Sequence, residues 1–362
     1  MGTALLIPPV YILTTMLFTD VVSRARAFGV ISAMGGVGAA AGPLIGGVIT
    51  TAISWRAAFV FQAFMVGLIF LLSRRIHDPV PADPSRPFDT GGAILSAVGL
   101  ILVVMGILAA DNNGWLMLAL LVADGLVLTW FFLSMRAKER AGEEALLSTG
   151  LFRNRTSNLA LVTQNVQWLL LMGISSVVAA YLQVIRGYNA IETGVIFTAA
   201  TVGILASSLG AERFAKRRSQ RTLIVAGFVI TLVGIGIFLA MTAGSPSVFA
   251  FVPGLLLIGL GSGAMLTPSA NVVQGSFPEV LQGEISGLSR CVSNLGSSLG
   301  TAVAGTILVS GIASGDRSYG VALIVLAAIG LVGLVAAVLL PTTAAPAQQA
   351  AEPRLSGELG MA

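Results

Sequence analysis

The sequence predicts an all-α membrane protein that crosses the bilayer eleven times. Three observations lead there. The chain is 56% hydrophobic and only 10% charged, with a mean hydropathy of +0.92, whereas soluble domains carry about 25% charged residues. Apolar stretches of about 20 residues recur from end to end, each long enough for a helix to cross roughly 30 Å of hydrocarbon. Lysine and arginine lie between these stretches and divide unequally among alternate loops. A spanning segment must satisfy its own backbone in lipid, so helix is the form these stretches take.

The spans fall at residues 2–19, 28–50, 57–73, 90–110, 115–135, 159–184, 194–212, 222–242, 248–270, 286–309 and 319–340, with ends fixed to within a few residues. One set of loops holds 17 of the 20 lysines and arginines. The other set holds Arg56, Arg186 and Arg317. Positive charge stays on the cytoplasmic side, so the C-terminus is assigned to the cytoplasm. Eleven crossings then put residue 1 outside.

In the second span, Gly38, Gly42 and Gly46 step by four and lie on one helical face. That face lets another helix approach backbone to backbone. Pro43 removes a backbone donor and bends the helix. Tight packing alone fits this pattern, and so does a bend and sliding seam in a moving helix. Between the third and fourth spans, Pro79, Pro81, Pro84 and Pro87 mark a semi-rigid spacer. His77, the only histidine, lies in the same loop and reads as a solvated surface residue. Cys291 is the only cysteine, which excludes an internal disulfide. Asn154-Arg155-Thr156 matches a glycosylation sequon but falls on the side assigned to the cytoplasm.

The decamer Gly38–Gly47 resembles the G-x-x-x-G-P-x-x-G-G signature of antiporters in the major facilitator superfamily, matched at Gly38, Gly42, Pro43, Gly46 and Gly47. Ser54-Trp55-Arg56-Ala57-Ala58-Phe59 is similar to the S-W-R-W-x-F that opens the next helix in its 14-helix drug:proton branch. The resemblance implies a major facilitator fold, with two bundles built as parallel repeats and an inserted two-helix hairpin. An internal repeat agrees. An offset of 258 carries Gly38 to Gly296, Gly42 to Gly300 and Gly47 to Gly305. The copies lie eight spans apart, so two helices stand between the halves. The expected division is 1–73 for the remainder of an N-terminal bundle and 74–158 for the hairpin with its loops. A C-terminal six-helix bundle then covers 159–340, and 341–362 forms a disordered cytoplasmic tail. By the same logic the chain is expected to lack the family's first three helices, roughly 100 residues.

Polar groups inside spans are functional candidates. Asp124 is the only acid well inside a span, and it either carries a proton or faces a helix partner or headgroup water. Gln164, Gln167, Trp168 and Leu171 share a helical face. That face suits either a cavity for amphipathic ligands or interhelical hydrogen bonds. Glu212, Arg213, Arg217 and Arg218 follow the seventh span and resemble the superfamily's loop motif, with Glu212 in place of its aspartate and Ala215 in place of a glycine. The resemblance implies a cytoplasmic latch; a plain positive-inside anchor explains the arginines equally well.

The function expected is proton-coupled efflux of amphipathic or cationic small molecules by alternating access, in the cell membrane. A transport-inactive remnant or scaffold and an uncoupled metabolite transporter of the same fold are the alternatives. The expected partners are the bilayer, a small-molecule substrate and protons, and the chain is expected to act as a monomer. No phosphate-cradling G-x-x-x-x-G-K-[ST] loop occurs, so ATP is not expected to drive it. The basic residues form no patch for nucleic acid. One histidine, one cysteine and no clustered carboxylates predict no metal, no cofactor and no enzyme activity.

Overall fold

The computed structural model describes residues 45–75, 89–109, 113–143, 145–215, 218–242, 248–277, 281–310 and 315–341, with Ser23, Met34, Gly38 and Gly42 as isolated positions. The side chains at 209, 211–215, 242, 248 and 282 lie outside the description. Described residues are helical or in turns and connections, with no strand among them. After a helical stretch at 45–52 come α1 (Trp55–Ser73), α2 (Thr90–Ala109), α3 (Gly114–Ala141), α4 (Arg155–Ala180) and α5 (Ala190–Ala215). There follow α6 (Gln220–Thr242), α7 (Phe251–Gln274), α8 (Gln282–Val309) and α9 (Asp316–Leu339). All nine are long and apolar enough to cross a membrane. The expected span 2–19 and most of 28–50 lie outside the described residues, so the count of eleven rests on sequence.

The helices overrun the expected spans at the end that carries Lys138, Arg153 and Arg155. The stretch Arg136–Asn158, read from sequence as a charged loop, is largely helical. α3 continues through Arg136, Lys138 and Arg140, cations that suit the negative end of a helix. It stops at Gly142, whose φ of 73° is the left-handed turn that glycine tolerates. Gly142 and Glu143 donate back to the carbonyls of Glu139 and Lys138. A 3-10 turn, Thr149–Arg153, then leads into α4. Asn154 caps that helix, its Oδ1 accepting from the amides of Thr156 and Ser157 at 3.0 and 3.2 Å. The asparagine of the sequon thus caps α4 through its oxygen.

α4 packs against α7, α8 and α9; α7 packs against α5 and α6; α6 packs against α9. Leu170 and Ile174 of α4, Phe228 and Ile235 of α6, and Leu255 of α7 are buried in the shared core. Small residues bring the backbones together, as membrane helices require when lipid tails are as apolar as leucine. A Cβ on Gly259 would strike the Ala200 carbonyl, so α5 and α7 touch through main chain. α2 and α3 form a hairpin, and α2 rests on α8. Thr306 of α8 donates to the Ile107 carbonyl of α2 at 3.2 Å. α1 buries no residue and has no extensive partner among the described helices.

Candidate functional site

The polar face of α4 sits where α4, α7 and α8 meet. Gln164 and Gln167 are 6% and 1% exposed. Ser289 of α8 donates its hydroxyl to Gln164 Oε1 at 3.0 Å, and Ser269 of α7 donates to Gln167 Oε1 at 3.0 Å. Asn165 Nδ2 donates to the Val292 carbonyl at 2.9 Å. The two amide oxygens thus bind helices together. The Gln167 Nε2 amide is different: it is buried and has no hydrogen-bond partner. It offers donors shielded from solvent, where an unmade hydrogen bond is costly. Trp168 and Leu171, half-buried, continue from this point along the helix.

The glycine seams are unevenly used. A Cβ on Gly296 would strike the Asn165 carbonyl and one on Gly300 the Leu169 carbonyl, so α8 lies backbone to backbone on α4. A Cβ on Gly305 would meet nothing within 4 Å among the described residues. In the first copy, a Cβ on Gly47 would lie 2.7 Å from the Ala190 carbonyl at the start of α5. Gly38, Gly42 and Gly46 meet nothing within 4 Å among the described residues, and Pro43 lies outside them.

Asp124 lies within the hairpin. Its Oδ1 is buried without a hydrogen-bond partner, and a Cβ on Gly99 would lie 3.5 Å from it. Of the expected latch, the Glu212 and Arg213 side chains and all of Arg217 lie outside the description, and Arg218 is exposed.

A cavity of about 410 Å³ opens at the opposite end of the bundle, between α4, α6 and α9. Tyr181, Phe238, Leu323 and Tyr319 wall it, and Asp316 and Arg317 stand at its rim. Tyr181 begins a π-helical turn, Tyr181–Ile185, and stacks edge-on against Tyr319 and Phe251 at 5.5 and 6.2 Å. The Arg186 guanidinium lies 5.8 Å from the Tyr181 ring centre and 5.3 Å from that of Phe251.

Three carboxylates at the basic end went unread in the sequence. Asp89, 7% exposed, accepts from the Gly92 amide at 2.8 Å, from Lys138 Nζ at 2.6 Å and from the Leu146 amide at 3.2 Å. Glu139 accepts from the Ser148 hydroxyl and from the Thr149 amide, both at 3.0 Å, and from the Thr149 hydroxyl. Glu284, at the start of α8, accepts from the Ser148 amide at 2.7 Å. An aspartate just before Thr90-Gly91-Gly92 is a helix-capping signal; nothing in the local sequence announces the other two.

The Major Facilitator Superfamily matches the chain over residues 1–153 and 161–358. The chain is 31% identical over 314 residues to the puromycin resistance protein pur8 of Streptomyces alboniger, covering 84% of this chain and 61% of that protein. It is 26% identical over 308 residues to the multidrug efflux pump LfrA of Mycolicibacterium smegmatis, covering 85% and 60%. It is 28% identical over 345 residues to the cephamycin export protein CmcT of Amycolatopsis lactamdurans, covering 90% and 70%. The chain therefore spans about 60% of the length of the first two relatives. With its helical packing, its complete G-x-x-x-G-P-x-x-G-G decamer and a family match over nearly its whole length, this multi-pass membrane protein belongs to the Major Facilitator Superfamily.

Proposed function

We propose that the protein takes part in proton-coupled efflux of amphipathic or cationic small molecules by alternating access. The observation that carries this reading is the Gly38–Gly47 decamer in a superfamily chain whose relatives are named for antibiotic resistance and export. Residues 1–73 belong to one bundle, 74–158 to an inserted hairpin and 159–340 to a second bundle, with the C-terminus in the cytoplasm. The two bundles rock about a site between them. The α4 face at Gln164, Gln167, Trp168 and Leu171 contributes apolar and amide wall to that site. Gln167 Nε2 supplies a donor to the ligand, and Ser269 and Ser289 hold the two glutamines in place. The Gly47–Ala190 approach lies between the two bundles and carries their relative motion, while the Gly296 and Gly300 seam packs α8 on α4 within the second bundle.

One proton moving through about 100 mV supplies about 2.3 kcal/mol, enough for roughly a 40-fold gradient of a neutral substrate. Asp124 is the acid that this chain offers inside a span for such a proton.

The test is accumulation of puromycin, and of a permanent organic cation such as tetraphenylphosphonium, in cells with and without the protein. Lower accumulation that a protonophore reverses supports the proposal. Faster flux that is insensitive to the protonophore and leaves steady-state accumulation unchanged makes the protein an uncoupled carrier of the same fold. Equal accumulation of both probes removes the efflux reading.

A further inference from the structure

We infer that the α2–α3 hairpin is a fixed appendage of the α4–α9 bundle, clamped to it by Asp89, Glu139 and Glu284. Helical units joined by one linker move relative to each other unless further contacts tie them. Here the linker itself is tied at three points, one from each of three helices.

Asp89, at the start of α2, takes the Leu146 amide while it binds Lys138 of α3. This fixes the first linker residues against both helices of the hairpin. Glu139, in the last turn of α3, takes the Ser148 hydroxyl and both donors of Thr149. Glu284, at the start of α8, takes the Ser148 amide. Ser148 is therefore shared: its side chain answers to the hairpin and its backbone to the bundle. Bonds to an ionised carboxylate are the stronger kind of hydrogen bond. Asn154, which caps α4, also donates Nδ2 to the Ser276 carbonyl just past α7, so the linker enters the bundle already held.

A second fastening lies within the apolar zone. α2 packs on α8, and Thr306 donates to the Ile107 carbonyl there. The two fastenings sit near opposite ends of α2, so the hairpin has no free pivot against α8. No comparable tie joins the hairpin to α1 among the described residues. Glu139 and Glu284 are positioning residues, and their effect on transport is exerted through the hairpin. The clamp holds whatever molecule is carried; the statement that the hairpin travels with α4–α9 rests on the rocking mechanism proposed above.

The test uses the whole chain in lipid nanodiscs with Cys291 replaced by alanine. Hydrogen exchange reads the Ser148 and Thr149 amides. Spin-label distances are read between Leu126→Cys and Ile324→Cys, both on exposed faces of α3 and α9. Glu284→Ala is expected to speed exchange at Ser148 at least tenfold and to broaden the Leu126–Ile324 distance distribution, with the interior of α4 still protected. Ser148→Pro should likewise broaden that distance and speed exchange at the neighbouring Thr149 amide, since Ser148 already has a φ of −69° and proline there removes only the shared amide and hydroxyl donors. It carries the test if Glu284→Ala does not fold. Ser148→Ala keeps the amide bond and should leave the Ser148 amide protected. Unchanged exchange and an unchanged distance in both clamp variants overturn the inference. Adding puromycin to the parent should leave the Leu126–Ile324 distance fixed while the distance from Leu126 to Phe59→Cys changes. A shift in Leu126–Ile324 overturns the rigid attachment. No shift in either distance counts against rocking and leaves the clamp to the exchange result.

Discussion

Ser269 Oγ and Gln167 Oε1 lie 3.0 Å apart, both buried, and their bond ties α7 to α4 while leaving the other half of the Gln167 amide unspent. The two ends of one side chain thus have different fates. The oxygen is structural, and the nitrogen carries an unmet desolvation cost that a ligand acceptor would remove. Gln167→Leu is therefore expected to shift thermal stability little. It gives up the Ser269 bond but also removes the orphan donor. If the nitrogen meets substrate, transport KM for puromycin rises about tenfold, the equivalent of one hydrogen bond of about 1.4 kcal/mol. Ser269→Ala should instead lower stability by about 1 kcal/mol and leave KM closer to the parent value. Equal KM values in the parent and Gln167→Leu remove Gln167 from the substrate wall.

Gly300 and Gly305 share the repeat seam but differ in what surrounds them. A Cβ on Gly300 would overlap the Leu169 carbonyl, and backbone cannot swing aside as a side chain can. Gly300→Val should force α8 away from α4, cost about 1–3 kcal/mol or more and reduce the yield of folded protein. The Cβ of Gly305→Ala meets nothing within 4 Å among the described residues, so the change should be neutral or slightly stabilising, since alanine is the better helix former. Size-exclusion profiles and melting temperatures of the two variants decide the matter. Equal tolerance at both positions would mean that the seam is not closed in the working protein.

The difference between these glycines shows what the sequence could carry. Composition and periodicity located nine of the helices, because a membrane leaves a chain few other options. The repeat offset placed Gly296, Gly300 and Gly305 on one seam, yet it could not say that α4 covers only the first two. Covering depends on the crossing of two helices, a property of neither alone. The α4 amides were visible as polar residues in an apolar run. Their partners, Ser269 and Ser289, are more than 100 residues away and look like any other serine in a span. Asp89, Glu139 and Glu284 escaped notice for a related reason. Acids at helix ends are ordinary, and only folding brings these three onto one linker. The overlong α3 was missed because a run of charges reads as a loop when hydropathy alone draws the boundary.

Asn154 serves two elements at once, accepting at the start of α4 and donating to Ser276 at 3.2 Å. Losing a helix cap typically costs about 1 kcal/mol, within a range of about 0.5–2. Asn154→Asp keeps the cap acceptor and suits the positive end of the helix, but cannot donate to Ser276. The expected order of melting temperatures is parent, then Asn154→Asp, then Asn154→Ala. If Asn154→Asp melts with Asn154→Ala, the Ser276 bond matters and the cap does not.

Asp89 sets a pH dependence whose sign follows from its surroundings. Burial works to raise its carboxyl, but the Lys138 ammonium and the amides of Gly92 and Leu146 outweigh it, so the group sits below the ordinary carboxylate value of 3.8. A carboxyl whose folded value is depressed adds stability that is complete above its unfolded value and is lost as pH falls through the folded one. The contribution should therefore be flat from neutral pH down to about 4–5 and disappear below that. Asp89→Asn should lower the melting temperature at pH 7 by about 2–4 °C, roughly 1 kcal/mol for a unit of this size. The parent and variant curves should converge as pH falls below 4, where the parent carboxyl takes up its proton and loosens its hold on Lys138. Lys138→Met removes the same pair from the other side, and its deficit should shrink over the same pH window. Melting curves for all three proteins between pH 7 and pH 3 provide the measurement. A constant offset across that range would show that Asp89 acts by packing rather than by charge.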